Sequence, residues 1–196
     1  TKPGAEILDI GAGTGRLSIP LMKLGYSLSA VDASKNMLEV LKRKDTEKEI
    51  EIIHSSIQNL DLNRNFDAVL CVFSVFCYLL DEKDLRAAIQ SIVNHTHREG
   101  FVLIDVPSKS LFASSYYESE TLIREIEVKS VDSELGIFDY LEKIKTSDNK
   151  EQFNYEDQFK IRYWDSEIIL NEFIREGMDV REDISDEFFG SGAEYF

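Results

Sequence analysis

The sequence is poor in basic residues, in cysteine and in long apolar runs, and each shortage excludes a class of protein. Lysine and arginine number 22 against 37 aspartates and glutamates, which gives a net charge of −15. A surface this acidic repels phosphate backbones and anionic lipids, so we expect neither nucleic acid nor a membrane as a partner. The chain also lacks the run of about 18 apolar residues that a transmembrane helix needs.

The two cysteines, Cys71 and Cys77, form no C-x-x-C pattern, and two cysteines cannot build a disulfide framework. We expect both to be buried thiols, which suits a reducing compartment, and no signal peptide is visible. The sequence therefore predicts a cytoplasmic protein. The chain starts at Thr1 rather than Met, and its last residues, 192–196, resemble half of a strand. We expect the natural protein to continue beyond both ends.

What is present is a chain of 196 residues with 43% hydrophobic residues, enough for one domain with a real core. Its first half alternates apolar β-rich runs with helical patterns. Such alternation predicts a parallel sheet with helices on both faces. The predicted strands are 5–10, 27–32, 50–54, 66–72 and 100–106, and the predicted helices are about 14–24, one capped by Ser34, and 81–95.

This alternation stops after Pro107. Residues 122–163 contain three long, charge-rich segments with partial alternation, which predict antiparallel strands with one solvated face. A helix over 165–177 and strands over 178–184 and 192–196 would complete the chain. We therefore predict a Rossmann-like, doubly wound α/β fold with a seven-stranded, mostly parallel sheet, one strand being antiparallel. Residues 1–107 and 165–196 would form the core, and 108–164 a β-rich insertion after strand five.

The segment LDIGAGTGR, residues 8–16, carries glycines at alternate positions directly after the first strand: Gly11, Gly13 and Gly15. Such a turn lets the backbone approach a ligand and points free helix N–H groups toward it. A dinucleotide fingerprint requires G-x-G-x-x-G, and its third glycine position is occupied here by Arg16. Taken alone, the glycines are also compatible with a purely structural turn.

Asp32 closes the second strand, where an acid can accept hydrogen bonds from both hydroxyls of a ribose. A carboxylate at this position argues against a 2′-phosphate. The alternative is a helix-capping aspartate. The glycine turn and the acid at this spacing together favour a nucleoside-containing ligand.

Four segments in order resemble the class I S-adenosylmethionine-dependent methyltransferases. They are ILDIGAGTGRLSIPL, AVDASKNML, HSSI and FDAVLCVFSVFCYL, and the resemblance covers nearly all of residues 5–106. It implies S-adenosyl-L-methionine as cofactor, which has no phosphate and so needs no pyrophosphate cradle. The cofactor-binding residues implied by the resemblance are Asp9, Gly11, Ala12, Gly13, Gly15, Asp32, Ala33, Met37, Ser56, Ile57, Val72 and Phe73.

The resemblance also implies a role for several of these residues. Asp32 would bind the ribose and Met37 would lie near the adenine, while the backbone carbonyls near Val72 and Phe73 would receive the methionine ammonium. Asp9 would assist through water. Ser56 stands where the family often has an acid for the adenine amino group, so this contact departs from the family pattern.

The methyl acceptor is less well indicated. The chain looks like the small-molecule branch, in particular the sugar N,N-dimethyltransferases, whose inserted strands cover the acceptor site and often mediate dimer contacts. Residues 108–164 would then form a roof over a small-molecule acceptor, and a homodimer through this insertion is one expectation. Tyr78 is the candidate catalytic residue, as a contact to the acceptor. The insertion has too many aromatic residues for all of them to face solvent, so we expect them to be covered. They are Tyr116, Tyr117, Phe138, Tyr140, Phe153, Tyr155 and Tyr163.

Other chemistries fit the sequence less well. VFSVF replaces the [DN]-P-P-[YF] clamp of base-amino methyltransferases. Catechol-type enzymes need clustered acids for a divalent metal, and none of the required acids follows the fourth strand, so no metal site is predicted. His95 and His97 end a helix, where imidazolium favours the dipole, and we expect them and His54 to be structural. A nicotinamide-dependent oxidoreductase and a non-catalytic binding protein that keeps the fold remain as alternatives.

Overall fold

The computed structural model describes residues 2, 4–148, 151–181 and 193–196. The strands of the core are β1 Glu6–Ile10, β2 Ser27–Asp32, β3 Glu51–His54, β4 Phe66–Cys71, β5 Thr96–Pro107 and β10 Ala193–Tyr195. The inserted strands are β6 Ser115–Glu118, β7 Leu122–Asp132, β8 Ile137–Asp148 and β9 Glu151–Arg162. The helices are α1 Ser18–Lys23, α2 Lys35–Lys44, α3 Glu82–Asn94 and α4 Ser166–Arg175.

The core sheet has the order β10-β5-β4-β1-β2-β3 among the described residues. Every neighbouring pair is parallel except β10 with β5, which is antiparallel. The chain runs outward from β1 to β3 and then returns to place β4 on the other side of β1. The strand order therefore reverses between β1 and β4, and their carboxyl ends border the crevice where ligands bind in open α/β sheets.

The predicted seven-stranded sheet is confirmed only in part. Six strands lie in the described part of the core, and the strand predicted at the end of the chain is β10. Residues 178–181 of the strand predicted over 178–184 are irregular, and the rest of that segment falls outside the described residues. A seventh strand therefore stays a prediction.

Helices cover both faces of this sheet, as the alternation of the sequence predicts. On one face, α3 and α4 bury apolar side chains against the strands, including Ile89 and Ile169. On the other face α1 and α2 do so, with Met22 and Leu41. The Ser34 side chain accepts a hydrogen bond from the Met37 N–H and caps α2, which confirms the predicted cap.

Helix α1 is shorter than the prediction of about 14–24. It begins at Ser18, and the residues before it form turns. Gly15 has a φ of 83°, which is incompatible with a right-handed helix. The third glycine therefore lengthens the loop by most of a helical turn.

The insertion forms a separate antiparallel sheet with the order β6-β7-β8-β9. Three of these strands were predicted, and β6 was not, because its four residues are too few to show a periodic pattern. Four of the seven aromatic residues expected to be covered are instead exposed on this sheet: Tyr116, Tyr117, Phe153 and Tyr155. Phe138, Tyr140 and Tyr163 do pack against other rings, as expected.

The inserted sheet is anchored to the core where β9 ends. The Trp164 Nε1–H donates to the Leu79 carbonyl oxygen at 2.9 Å, and the Arg162 guanidinium donates to the Leu80 carbonyl oxygen at 3.0 Å. The guanidinium also stacks over the Trp164 ring, 3.6 Å from its centroid, and both side chains are buried. These contacts fix the insertion against the segment that follows β4.

We expect Trp164→Phe to lower the free energy of unfolding by about 1–3 kcal/mol, because the Leu79 carbonyl would lose its buried donor while most of the ring packing remains. Urea unfolding followed by circular dichroism measures this loss. The matched control is Tyr117→Phe on the exposed part of the inserted sheet, where we expect a change within about 0.5 kcal/mol. Equal stabilities of Trp164→Phe and the parent chain would contradict the role assigned to this hydrogen bond.

Candidate active site

Three backbone segments meet at the carboxyl ends of β1, β2 and β4. They are the glycine loop, residues 11–15, the start of α2 after Asp32, and the turn formed by residues 72–74. The loop is joined directly to the end of β2, because the N–H groups of Gly11 and Ala12 both donate to the Val31 carbonyl oxygen. The chain thus brings together most of the residues implied by the resemblance.

The glycine loop requires glycine for two different reasons. Gly11, Gly13 and Gly15 all have left-handed φ angles, of 73°, 53° and 83°. A Cβ at Gly11 or Gly15 would also overlap a neighbouring side chain, Val75 or Leu41 respectively. At Gly13 the nearest atom to such a Cβ is 4.0 Å away. Gly11 and Gly15 therefore permit close packing, whereas Gly13 turns an open face toward the crevice.

Asp32 connects this loop to α2 through both of its carboxylate oxygens. The Gly13 N–H donates to Oδ2 at 2.8 Å and the Ser34 N–H donates to Oδ1 at 2.7 Å. Each carboxylate oxygen can accept a second hydrogen bond, so the group retains capacity for two hydroxyls of a ligand. The helix-cap alternative is not what the structure shows, because the side chain that caps α2 is Ser34.

The start of α2 and the residues that follow β3 present apolar and polar side chains near Asp32. Met37 is exposed in the first turn of α2, Ile57 is buried, and the Ser56 hydroxyl accepts a hydrogen bond from the Asn59 amide at 2.8 Å. His54 lies with Nε2 3.0 Å from the Ala33 carbonyl oxygen, which agrees with a structural role. Sequence reasoning missed Asn59, whose side chain supports the hydroxyl that replaces the family's acid.

Asp9 is a buried carboxylate near the end of β1. It is 2% exposed, and the Ser18 hydroxyl at the start of α1 donates to it at 2.5 Å. Burial raises the pKa of Asp9 to about 6, although the Ser18 hydrogen bonds oppose that rise. On β4, which neighbours β1 in the sheet, burial raises the pKa of the Cys71 thiol well above its usual range, and the negative charges of Asp105 and Asp9 raise it further. Cys71 is therefore a buried thiol, as expected.

The turn after β4 contains a contact that the sequence did not predict. Phe73 and Ser74 both have a φ of 68°, a left-handed conformation that is uncommon for residues other than glycine. The Ser74 N–H donates to both carboxylate oxygens of Asp105, at 2.9 and 3.1 Å. Asp105 lies near the end of β5 and is 2% exposed. The available signal was a lone acid near the end of an apolar strand, as at Asp32.

Arg16 is more than the ordinary helix residue suggested by the sequence. It precedes α1, and its guanidinium lies over the Phe73 ring, 4.2 Å from the centroid. This cation–π contact joins the glycine loop to the turn after β4. The position that breaks the dinucleotide fingerprint thus links two sides of the crevice.

Tyr78 lies between the core and the inserted sheet. Its ring is 5.4 Å from that of Phe159, which stacks on Tyr140 at 4.9 Å. Tyr78 is 58% exposed, but partial desolvation of its phenol raises the pKa to about 12, and the nearby carboxylates Glu142 and Asp157 add to this rise. Tyr78 is therefore a neutral phenol near neutral pH, suited to hydrogen bonding rather than to removing a proton.

The pKa of Asp9 predicts a pH-dependent stability. Because folding raises this pKa from 3.8 to about 6, protonation of Asp9 stabilises the fold below about pH 4, and this contribution is lost as the pH rises through about 6. We expect Asp9→Asn, which stays neutral, to gain up to about 3 kcal/mol relative to the parent chain across this window. Urea unfolding at about pH 4 and pH 7.5 measures the difference. Glu39→Gln on α2 controls for the loss of one negative charge, and a constant difference for Asp9→Asn would contradict the prediction.

The described residues contain no group of three or more His, Cys, Asp or Glu side chains that could hold a metal ion. His95 is buried with Nδ1 2.7 Å from the Ser91 carbonyl oxygen, and its Nε2 accepts the Leu62 N–H, so its role is structural. Within the same part of the chain, no helix is long and apolar enough to cross a membrane.

A glycine loop after the first strand, joined to an acid at the end of the second strand and placed at the switch point, is the arrangement with which Rossmann-like domains bind nucleoside-containing cofactors. Residues 7–100 match a family model described as a methyltransferase domain. This segment therefore matches the methyltransferase domain that the resemblance implies, and it includes the glycine loop and Asp32.

The chain is similar to known methyltransferases of several kinds. It is 27% identical over 101 residues to dTDP-3-amino-3,6-dideoxy-alpha-D-glucopyranose N,N-dimethyltransferase of Streptomyces fradiae, covering 52% of this chain and 39% of that protein. It is 32% identical over 115 residues to the mitochondrial ubiquinone biosynthesis O-methyltransferase of Schizosaccharomyces pombe, covering 56% and 40%. The chain thus spans less than half the length of the curated relatives it matches.

A solved structure shares the fold over a greater length. The sugar N-methyltransferase KedS8 from Streptoalloteichus superposes with a TM-score of 0.75 at 22% identity, covering 99% of this chain and 80% of that one. The superposition therefore includes the inserted sheet as well as the core.

Proposed function

We propose that this protein transfers a methyl group from S-adenosyl-L-methionine to a small-molecule acceptor. The observation that carries the proposal is the Asp32 carboxylate, which accepts hydrogen bonds from Gly13 and Ser34 at the switch point of the sheet. This geometry presents a ribose-binding acid and an open glycine face side by side. No other group in the described crevice suits a nucleoside as well.

The residues of the crevice fit this cofactor by charge. It carries a sulfonium cation, an ammonium and a carboxylate, and when bound it supplies an electrophilic methyl group. Asp32 would hold the ribose, Met37 and Ile57 would contact the adenine, and Ser56 would offer its hydroxyl to the amino group. The carbonyls of Val72 and Phe73 would receive the ammonium, and Asp9 would assist through water. The N–H groups of the glycine loop, including that of Ala12, suit the carboxylate.

The acceptor would bind between this crevice and the insertion, residues 108–164. The ring of Tyr78 and the stacked pair Tyr140 and Phe159 would form an aromatic wall of the acceptor site. The Glu142 carboxylate is paired with Arg124, but the Asp157 carboxylate adds negative charge near Tyr78, which favours an amine over an anionic acceptor. The names of the relatives support both nitrogen and oxygen acceptors, and we propose nitrogen as the first to test.

The reaction would be an in-line displacement with little acid–base chemistry. A neutral amine attacks the methyl carbon directly, so the protein has to align the reactants and exclude water. Positioning of this kind can lower a barrier by roughly 7–11 kcal/mol. Tyr78, held as a neutral phenol, would orient the acceptor through a hydrogen bond.

We further propose that different segments of the chain bind the cofactor and the acceptor. Residues 1–107 and 165–196 would form the cofactor-binding core, completed by a seventh strand, and the insertion would be the roof of the acceptor site. The exposed aromatic residues of this sheet, such as Tyr116 and Phe153, would pack in a homodimer. The acidic surface supports the expectation that no nucleic acid or membrane is a partner. The two buried free thiols support the expectation that the protein is cytoplasmic.

Calorimetry with S-adenosylhomocysteine tests the cofactor, and a methylation assay with amino sugars and phenols tests the acceptor. We expect micromolar binding of S-adenosylhomocysteine to the full natural protein and methyl transfer to an amine. Absence of binding would overturn the proposal. A fluorescence change on adding NADH would favour an oxidoreductase, and binding without transfer to any metabolite pool would favour a non-catalytic binding protein.

Tyr78→Phe separates the acceptor site from the cofactor site. Removal of the hydroxyl should raise the acceptor KM several-fold, because one hydrogen bond worth about 1 kcal/mol is lost, while the ring contact with Phe159 remains. The dissociation constant of S-adenosylhomocysteine should not change. Tyr117→Phe, on the exposed part of the inserted sheet, is the matched control. A change in cofactor affinity with an unchanged acceptor KM would contradict the assignment of Tyr78.

A further inference from the structure

The turn after β4 is held in a conformation that its residues do not favour. Phe73 and Ser74 are consecutive non-glycine residues with a φ of 68°. This conformation is unfavourable for residues with a side chain, and two in sequence persist only where the surrounding structure enforces them. The turn begins directly after Val72, whose carbonyl belongs to the proposed cofactor site.

Asp105 is the group that enforces this turn. Its two carboxylate oxygens accept the Ser74 N–H at 2.9 and 3.1 Å, and the Phe73 N–H also interacts with it. The carboxylate comes from β5, 31 residues along the chain, and is 2% exposed. Burial raises the pKa of Asp105, and these backbone N–H groups oppose the rise by stabilising the ionised form. The folded protein therefore keeps a costly buried acid beneath a strained turn.

We propose that Asp105 is a positioning residue for cofactor binding, which holds the Phe73–Ser74 turn so that the preceding carbonyls face the crevice. The inference rests on the proposed function, because it concerns the same site. Asp105 acts through the backbone and does not touch the cofactor. The turn also carries the Phe73 ring over which Arg16 lies. By holding the turn, Asp105 therefore also helps to position Arg16, which directly follows the glycine loop.

Asp105→Asn and Ser74→Gly test this role together. The asparagine keeps the size of the side chain and one acceptor oxygen, but its NH2 group would face a backbone N–H. We expect Asp105→Asn to remain folded, because loss of a buried charge offsets a weakened hydrogen bond, and to weaken binding of S-adenosylhomocysteine about tenfold. Glycine adopts a φ of 68° without steric cost. Ser74→Gly should therefore recover at least half of that loss, on a logarithmic scale, in the double variant.

Calorimetry gives the affinities and thermal unfolding gives the stability of each variant, with Ser110→Gly as the control glycine outside the turn. Reduced affinity in a folded Asp105→Asn, with recovery by Ser74→Gly and not by Ser110→Gly, supports the inference. Unchanged affinity in Asp105→Asn overturns it while leaving the proposed function intact. Loss of stability and affinity in proportion, without recovery in the double variant, also overturns it. If the parent chain does not bind S-adenosylhomocysteine, the proposed function fails, and the inference fails with it.

Discussion

Asp32→Ala should weaken the binding of S-adenosylhomocysteine about 100-fold. Two hydrogen bonds from ribose hydroxyls to a carboxylate, each worth about 1.5 kcal/mol or more, would be lost, and 1.4 kcal/mol corresponds to a factor of ten. The variant would also release the Gly13 and Ser34 N–H groups, which both donate to this carboxylate. Loosening of the glycine loop adds to the direct loss of contacts.

Calorimetry measures this loss of affinity. Asp32→Asn helps to separate the lost contacts to the ribose from the loosening of the glycine loop. The amide keeps one acceptor oxygen and most of the shape, so we expect an intermediate loss of affinity. Glu39→Ala, an exposed acid on α2 close to Asp32 in the sequence, should bind within twofold of the parent chain. Binding by Asp32→Ala that equals the Glu39→Ala control would remove the central observation on which the proposed function rests.

Gly15→Ala and Gly13→Ala should affect different properties: the first mainly stability, and the second mainly cofactor affinity. Gly15→Ala places a methyl group against the buried Leu41 side chain at a φ of 83°, so we expect a loss of about 2–4 kcal/mol in the free energy of unfolding. Gly13 has a φ of 53° and open space around its Cβ position. Gly13→Ala should cost only about 1 kcal/mol of stability and should reduce cofactor affinity at least tenfold, because the methyl group would enter the crevice.

Thermal unfolding and calorimetry on the two variants test this contrast. Gly177→Ala, at a φ of 88° with nothing within 4 Å of its Cβ position, measures the cost of the backbone strain alone, away from the glycine loop. The expected order of stability is therefore Gly13→Ala and Gly177→Ala above Gly15→Ala. Similar stability losses at Gly13 and Gly15, or unaltered affinity in Gly13→Ala, would contradict the division of roles among the glycines.

The sequence by itself determined the alternation of strands and helices, the glycine loop and Asp32. These features depend on residues close together in the chain. Apolar runs specify buried parallel strands, and three alternate glycines specify a turn that other residues cannot follow. Because parallel strands expose their carboxyl ends at one edge, the residues that follow β1, β2 and β4 had to meet there. That is why motifs in order predict where a cofactor would bind.

Only the tertiary structure revealed the contacts between distant segments. Nothing near Ser74 in the sequence indicates that its N–H donates to Asp105 or that Arg16 lies over Phe73. Whether an aromatic residue of the insertion is covered also depends on which side chains pack over it, so Tyr140 is stacked on Phe159 while Tyr117 is exposed. Local patterns define elements, but the geometry between them is set by packing, and that geometry is what makes Asp105 part of this site.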